Sequence, residues 1–208
     1  PHRGKYDADV VVVGLGAMGS MALWRLAERG VDVVGIEQFG IAHDRGSSHG
    51  STRLFRLACF EHPDLGTMAL HARDLWRELE DASGAELLTQ TGGLMIGAPD
   101  SDLIRGTHRA AAAAGSVVED LGWCEVTTRF PAHASTDPSH VGLWDPSAGV
   151  IRPEASIEAA IAVARARGAE VITGTAVTGI SEDATGVEVR TVDRVLRARA
   201  VVVAAGPW

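Results

Sequence analysis

Asp9-Val-Val-Val-Val13 runs straight into Gly14-Leu-Gly-Ala-Met-Gly19, and Val31-Asp-Val-Val-Gly-Ile36 closes on Glu37. The first run is short, β-branched and apolar, as a strand buried on both faces must be. Between the two runs, Ala17 to Arg29 carries apolar residues at Met21, Ala22, Leu26 and Ala27 and stops at Gly30. That pattern predicts an amphipathic helix with a glycine stop. Strand, glycine turn, helix and strand in about 30 residues make a βαβ unit. A lone GxGxxG is weak, but here the strand, the helix and the closing acid are all present. Gly14 allows the tight turn, Gly16 lets backbone approach a pyrophosphate, and Gly19 lets helix pack on strand. The helix N-terminus offers N–H groups and partial positive charge to phosphates. Glu37 stands about 20 residues on, the spacing of a carboxylate that accepts from both ribose hydroxyls. An acid there disfavours a 2′-phosphate, and so NADP.

The order after Glu37 separates FAD from NAD. An NAD domain would continue βαβ, whereas residues 40–51 form a Gly-, Ser- and His-rich loop without periodicity. Thr52 to Cys59, Leu65 to Ala82 and Asp100 to Ala114 then read as helices, and Thr91 to Gly97 as a strand. From Gly149 the α/β pattern returns. Pro153 opens a helix over Glu154 to Arg167, closed by Gly168. Strand-like segments follow at Glu170–Thr173, Ala176–Ser181, Val187–Val192 and Val195–Arg199. A separate buried run, Ala200–Ala205, leads into Gly206-Pro-Trp208. The expected organisation is a discontinuous FAD-binding domain, 9–40 and 149–208, interrupted by a helical and strand lobe over 41–148. Among other residues, Glu182 and Asp183 read as solvated turn residues, and Trp24, Trp76, Trp123 and Trp144 as packing groups.

Hydrophobic residues make up 46% of the 208 and charged residues 22%, ordinary for a globular core. The net charge of −8 argues against a nucleic-acid surface, which needs a basic face. No apolar run reaches the roughly 18 residues of a membrane span. Two cysteines without CxxC spacing, and histidines without HxxxH spacing, point to no metal site and to reduced thiols in a cytoplasmic protein. Pro1-His2-Arg3-Gly4 reads as a processed end rather than a signal peptide.

The chemically densest stretch is His43-Asp-Arg-Gly-Ser-Ser-His-Gly-Ser-Thr-Arg-Leu-Phe-Arg56. If it is helical, Arg53 and Arg56 share a face and suit an anion or an electron-rich ring. A solvated basic turn, with Arg56 paired to an acid such as Glu61, fits the same residues.

This stretch, together with Asp9 to Glu37, resembles the monomeric sarcosine oxidase and N-methyltryptophan oxidase family of FAD-dependent amine oxidoreductases. Leu75-Trp-Arg-Glu-Leu79, Thr91-Gly-Gly-Leu94, Pro146-Ser-Ala-Gly-Val-Ile-Arg-Pro153 and Ala205-Gly-Pro-Trp208 share the resemblance. It implies an α/β fold: a Rossmann-like FAD domain split by an inserted lobe of a mixed α+β substrate domain. It implies oxidation of secondary or primary amines of amino acids at the flavin, with O2 as acceptor and H2O2 as product. Gly14, Gly16, Ala17, Met18 and Gly19 would hold the pyrophosphate, and Glu37 and Gln38 would flank the ribose. His43, Ser47, Ser48, Val177, Ala205, Gly206 and Trp208 would approach the cofactor. His49 and Arg53 would lie beside the isoalloxazine, and Arg56 would bind the substrate carboxylate. Ser48 stands where sarcosine oxidases often have a second histidine, and Ser51 where some have an acid. Family members continue for about as long again, so a C-terminal half, in the same protein or as a separate chain, would complete the site. A non-catalytic FAD-binding module and an NAD-dependent dehydrogenase are the competing functional classes.

Overall fold

The computed structural model describes residues 5–208 except Pro63 and Thr136, so the reading of residues 1–4 lies outside the described residues. These residues form two compact units. The first runs to Ser51, takes in Leu79–Leu87 and resumes over Arg152–Trp208; the second comprises Thr52–Glu78 and Leu88–Ile151.

The first unit is built on a six-stranded sheet. Strand β1 (Ala8–Val13) lies between β2 (Val33–Ile36) and β12 (Val195–Val203), parallel to both. Strand β9 (Glu170–Ile172) pairs parallel outside β2. Beyond β12, β11 (Gly186–Thr191) and β10 (Val177–Asp183) continue as an antiparallel meander. Helices α1 (Ala17–Glu28) and α5 (Pro153–Ala166) pack on each other. Val11, Val13, Val34, Ile36, Val189 and Ala198 belong to one core cluster of the sheet. These are the residues the β-branched runs supply, since a parallel sheet covered by helices needs apolar side chains on both faces.

Two expected segments, Val195–Arg199 and Ala200–Ala205, prove to be one strand. Its first part pairs with β11 and its later part with β1. The change of partner explains the change of pattern: the hairpin part alternates, and the part beside β1 reads as a continuous apolar run. Asp183 is not simply solvated. At the end of β10 it accepts from Thr185 N–H and Oγ at 2.7 Å each and from Arg197 at 2.6 Å. Those bonds hold its carboxyl well below the usual range, the Arg197 bond being the largest cause.

The second unit contains two three-stranded antiparallel sheets. One orders β3 (Arg53–Phe55), β8 (Gly149–Ile151) and β4 (Leu88–Thr89). The other orders β5 (Gly93–Gly97), β7 (Val141–Asp145) and β6 (Glu119–Leu121). Helix α2 (Leu65–Ser83) enters it over its first turns, and α3 (Asp102–Ala113) and α4 (Trp123–Arg129) complete it. The helix expected over Thr52–Cys59 is therefore overturned: Arg53–Phe55 is a strand. Within it Arg53 and Leu54 are exposed and Phe55 is buried, and the partner β8 is almost a hundred residues away, beyond the reach of local periodicity.

Helix α1 comes very close to the turn before it. A Cβ at Gly19 would overlap the Gly14 carbonyl oxygen and lie 3.3 Å from the Ala204 methyl. Gly19→Ala should therefore destabilise by an overpacking cost of about 1–3 kcal/mol, seen as a lower urea midpoint with the m-value unchanged. An unchanged midpoint would mean that the helix does not sit this close.

Candidate functional site

The carboxyl ends of β1, β2 and β12 reach the same edge of the first unit. Val13 pairs with Ile36 on one side and Val203 on the other. Gly14 N–H then donates to Ile36 O at 2.8 Å, and Ala204 N–H to Val13 O at 2.8 Å. Crevices outside the carboxyl ends of parallel strands are where such sheets bind ligands. Here a cleft of about 530 Å³ opens at that edge.

Its floor is the glycine turn. Gly14 adopts φ +86°, and a Cβ there would strike the Ala204 carbonyl. Gly16 is the N-cap of α1, has no side chain to cap it, and no acid occupies the first turn. Ser48 answers from a loop thirty residues on: its Oγ accepts from Ala17 N–H at 3.1 Å and lies 3.3 Å from where a Gly16 Cβ would be. Ala17 and Met18 line the cleft and are exposed, whereas Gly19 is buried beneath them. A helix start without a cap from its own N-cap residue, and with bare glycine backbone in front of it, suits a pyrophosphate.

Glu37 is only 4% exposed. Burying a carboxylate is costly unless it is hydrogen-bonded. Its Oε2 accepts from Leu15 N–H at 2.8 Å and its Oε1 from Phe39 N–H at 3.0 Å. Of about four lone-pair directions on a carboxylate, two are thus taken by amides and about two remain. His43 Nε2 lies 3.4 Å from Oε1. Gln38, His43 and Ser47 also line the cleft, as does Val177, which opens β10. Ala205, Gly206 (φ +68°) and Trp208 line its far side. The Trp208 ring meets Phe39 edge-on at 5.5 Å. Cleft, glycine cradle and buried carboxylate together fit a dinucleotide such as FAD.

Sequence reasoning missed several of these contacts. Ala42, in the cleft wall, holds φ +56° as a non-glycine residue. Glu154 Oε1 accepts from Gly50 N–H at 2.6 Å and ties the His43–Ser51 loop to the start of α5. The only sequence signal for it was an acid following Pro153 in a first helical turn. His49 is half-buried in this loop and is not among the residues lining the cleft.

Arg53 and Arg56 belong to the second unit. Arg53, exposed on β3, donates from Nη1 to Thr52 O at 2.8 Å. Arg56 lies just beyond the strand, so the helical face expected to unite the two arginines does not exist. Arg56 Nη2 pairs with Glu61 Oε1 at 2.5 Å, and its guanidinium lies over the Phe60 ring at 5.8 Å. Cys59 donates from Sγ to Arg56 O at 3.2 Å, and burial pushes its thiol up. Among the described residues no helix is long and apolar enough to cross a membrane, and no His, Cys, Asp and Glu cluster could hold a metal.

Residues 9–208 match the family model described as DAO, FAD dependent oxidoreductase. The chain is 38% identical over 202 residues to a monomeric sarcosine oxidase of Streptomyces avermitilis, covering 96% of this chain and 52% of that protein. It is 29% identical to an N-methyl-L-tryptophan oxidase of Yersinia pestis, covering 97% of this chain and 54% of the relative. The chain thus spans about half the length of the curated relatives it matches. Among solved structures it resembles NikD, described as an unusual amino acid oxidase essential for nikkomycin biosynthesis. There the TM-score is 0.87 at 32% identity, covering 96% of this chain and 51% of that one.

The Arg56–Glu61 pair makes a pH prediction. The Arg56 hydrogen bond is the largest cause holding the Glu61 carboxyl below its usual value. A depressed carboxyl contributes stability above its unfolded value, about pH 4.3, and loses it as pH falls below that. With 44% of the Glu61 side chain exposed, the contribution should stay under about 1 kcal/mol. Denaturant unfolding of Glu61→Gln against the parent should show a small deficit at pH 7 that shrinks progressively as pH falls below about 4. A deficit that persists unchanged at pH 3 would contradict the pairing.

Proposed function

The chain belongs to the DAO family of FAD-dependent oxidoreductases, and on that premise we propose that the protein oxidises the secondary or primary amine of an amino acid. The amine would become an imine, with the electrons passing to O2 and H2O2 released. The proposal extends to the division of labour: 9–40 and 149–208 as the flavin domain, 41–148 as an inserted lobe of the substrate domain. The observation that carries it is the glycine turn of α1 set beside the buried Glu37 carboxylate, a dinucleotide seat, in a chain that resembles amine oxidases over almost its whole length.

The amides at the start of α1, with Gly14, Gly16, Ala17 and Met18, hold the pyrophosphate, and Gly19 beneath them lets the helix approach the turn. Glu37 and Gln38 take the adenosine ribose, and Val177 flanks the base. Ser47 and Ser48 approach from the loop, and Ala205, Gly206 and Trp208 from the end of β12. Bound there, the flavin would supply two-electron acceptance. His49 and Arg53 act beside the ring system, Arg53 placing positive charge there. Arg56 grips the substrate carboxylate. A guanidinium has five N–H donors, so the Glu61 contact leaves others for that carboxylate, or yields to it.

Steady-state kinetics of the full-length protein, followed by H2O2 release from amino acids and N-methyl amino acids, test this reading. Arg56→Lys keeps the charge but loses the bidentate fork. KM should rise about tenfold, the equivalent of about 1.4 kcal/mol, with a smaller fall in kcat. Arg53→Lys should depress kcat instead. A KM within about twofold of the parent in Arg56→Lys removes the carboxylate role, and a flavin-loaded protein that oxidises no amine removes the function.

A further inference from the structure

His43 was expected to touch the cofactor. It lines the cleft, and we infer that His43 is a positioning residue, which acts on the dinucleotide through the Glu37 carboxylate. The inference rests on the proposed ribose role of Glu37.

Three contacts define the ring. Arg45 N–H donates to Nδ1 at 3.0 Å. A backbone amide can only donate, so Nδ1 accepts and carries no proton. The remaining ring proton is thereby assigned to Nε2, the nitrogen 3.4 Å from Glu37 Oε1. The ring also meets Phe39 edge-on at 4.9 Å. Phe39 in turn donates its own N–H to Glu37 Oε1 at 3.0 Å and is covered on another side by the Arg45 guanidinium at 4.7 Å.

The carboxylate is thus fixed from several directions. Leu15 N–H holds Oε2, Phe39 N–H holds Oε1, and His43 Nε2 lies 3.4 Å from Oε1, an electrostatic contact rather than a closed hydrogen bond. Of about four lone-pair directions, two are taken by amides and the His43 ring faces the side of a third, so the aim of the carboxylate toward a ligand hydroxyl matters. Without His43 the carboxylate could rotate about its amide anchors or take a water into the gap. Outer hydrogen bonds that orient a ligand-binding group in this way commonly affect affinity as much as direct contacts do. The two residues sit six apart, in a loop that the glycine turn alone would not have marked.

The test is a double-mutant cycle on the flavin-depleted full-length protein, read by calorimetric binding of two probes, ADP and 2′,3′-dideoxy-ADP. Circular dichroism checks that each variant is folded. His43→Ala should weaken ADP binding by about fivefold, a coupling typical of residues in contact. It should have almost no effect on the dideoxy probe, which offers Glu37 no hydroxyl, nor on ADP binding in a Glu37→Gln background. His43→Gln, which restores a donor near the position of Nε2, should recover most of the loss. An equal loss with the dideoxy probe, or additive losses in the double variant, overturns the inference and makes His43 a direct or merely structural contact. If Glu37→Gln itself leaves ADP binding unchanged, the ribose role falls, and this inference falls with it.

Discussion

The Glu37 carboxylate is where the first unit's ligand edge is decided. It is buried, and its two oxygens accept amides from opposite sides, Leu15 in the glycine turn and Phe39 beyond β2. Those bonds make burial of a charge tolerable. They also set the distance between the turn after β1 and the loop after β2, the two walls of the cleft. Remove the acceptor, and two buried or half-buried amides lose their partner at once. The same group thus serves the fold and the candidate chemistry, so the acid cannot be exchanged without disturbing both.

Around that anchor the other contacts are arranged in layers. Gly14, Gly16 and Gly19 are small because carbonyls of the turn, Ala204 and the Ser48 hydroxyl occupy the space side chains would need. Ser48 and Glu154 tie the following loop to the starts of α1 and α5 respectively. Each tie runs from a side chain to a backbone amide, which fixes loop backbone more firmly than contacts between flexible side chains would. A loop carrying His43, Ser47, Ser48 and His49 is in this way held at defined points without regular structure of its own.

How much of this was legible in the sequence follows from range. The βαβ unit, the glycine turn and the acid after β2 lie within thirty residues, so strand runs, helix periodicity and turn chemistry expose them. Helix α5 announced itself by Pro153 and Gly168. Strand β3 did not, because Arg53, Leu54 and Phe55 become a strand only through β8. The same holds for the tie between Gly50 and Glu154, 104 positions apart. Arg56 illustrates a third limit: its residue type suggested an anion, and the structure supplies one in Glu61. Whether that partner is the resident or the understudy of a substrate carboxylate is chemistry that local pattern does not encode.

The edge formed by the glycine turn and Glu37 is the proposed seat of the flavin's ADP half. A crystal structure of the full-length protein purified with its own cofactor tests it most directly. FAD is expected there, with the pyrophosphate over the amides at the start of α1 and a ribose hydroxyl within about 3 Å of a Glu37 oxygen. A nicotinamide dinucleotide in that cleft, or FAD whose ribose lies away from Glu37, would contradict it.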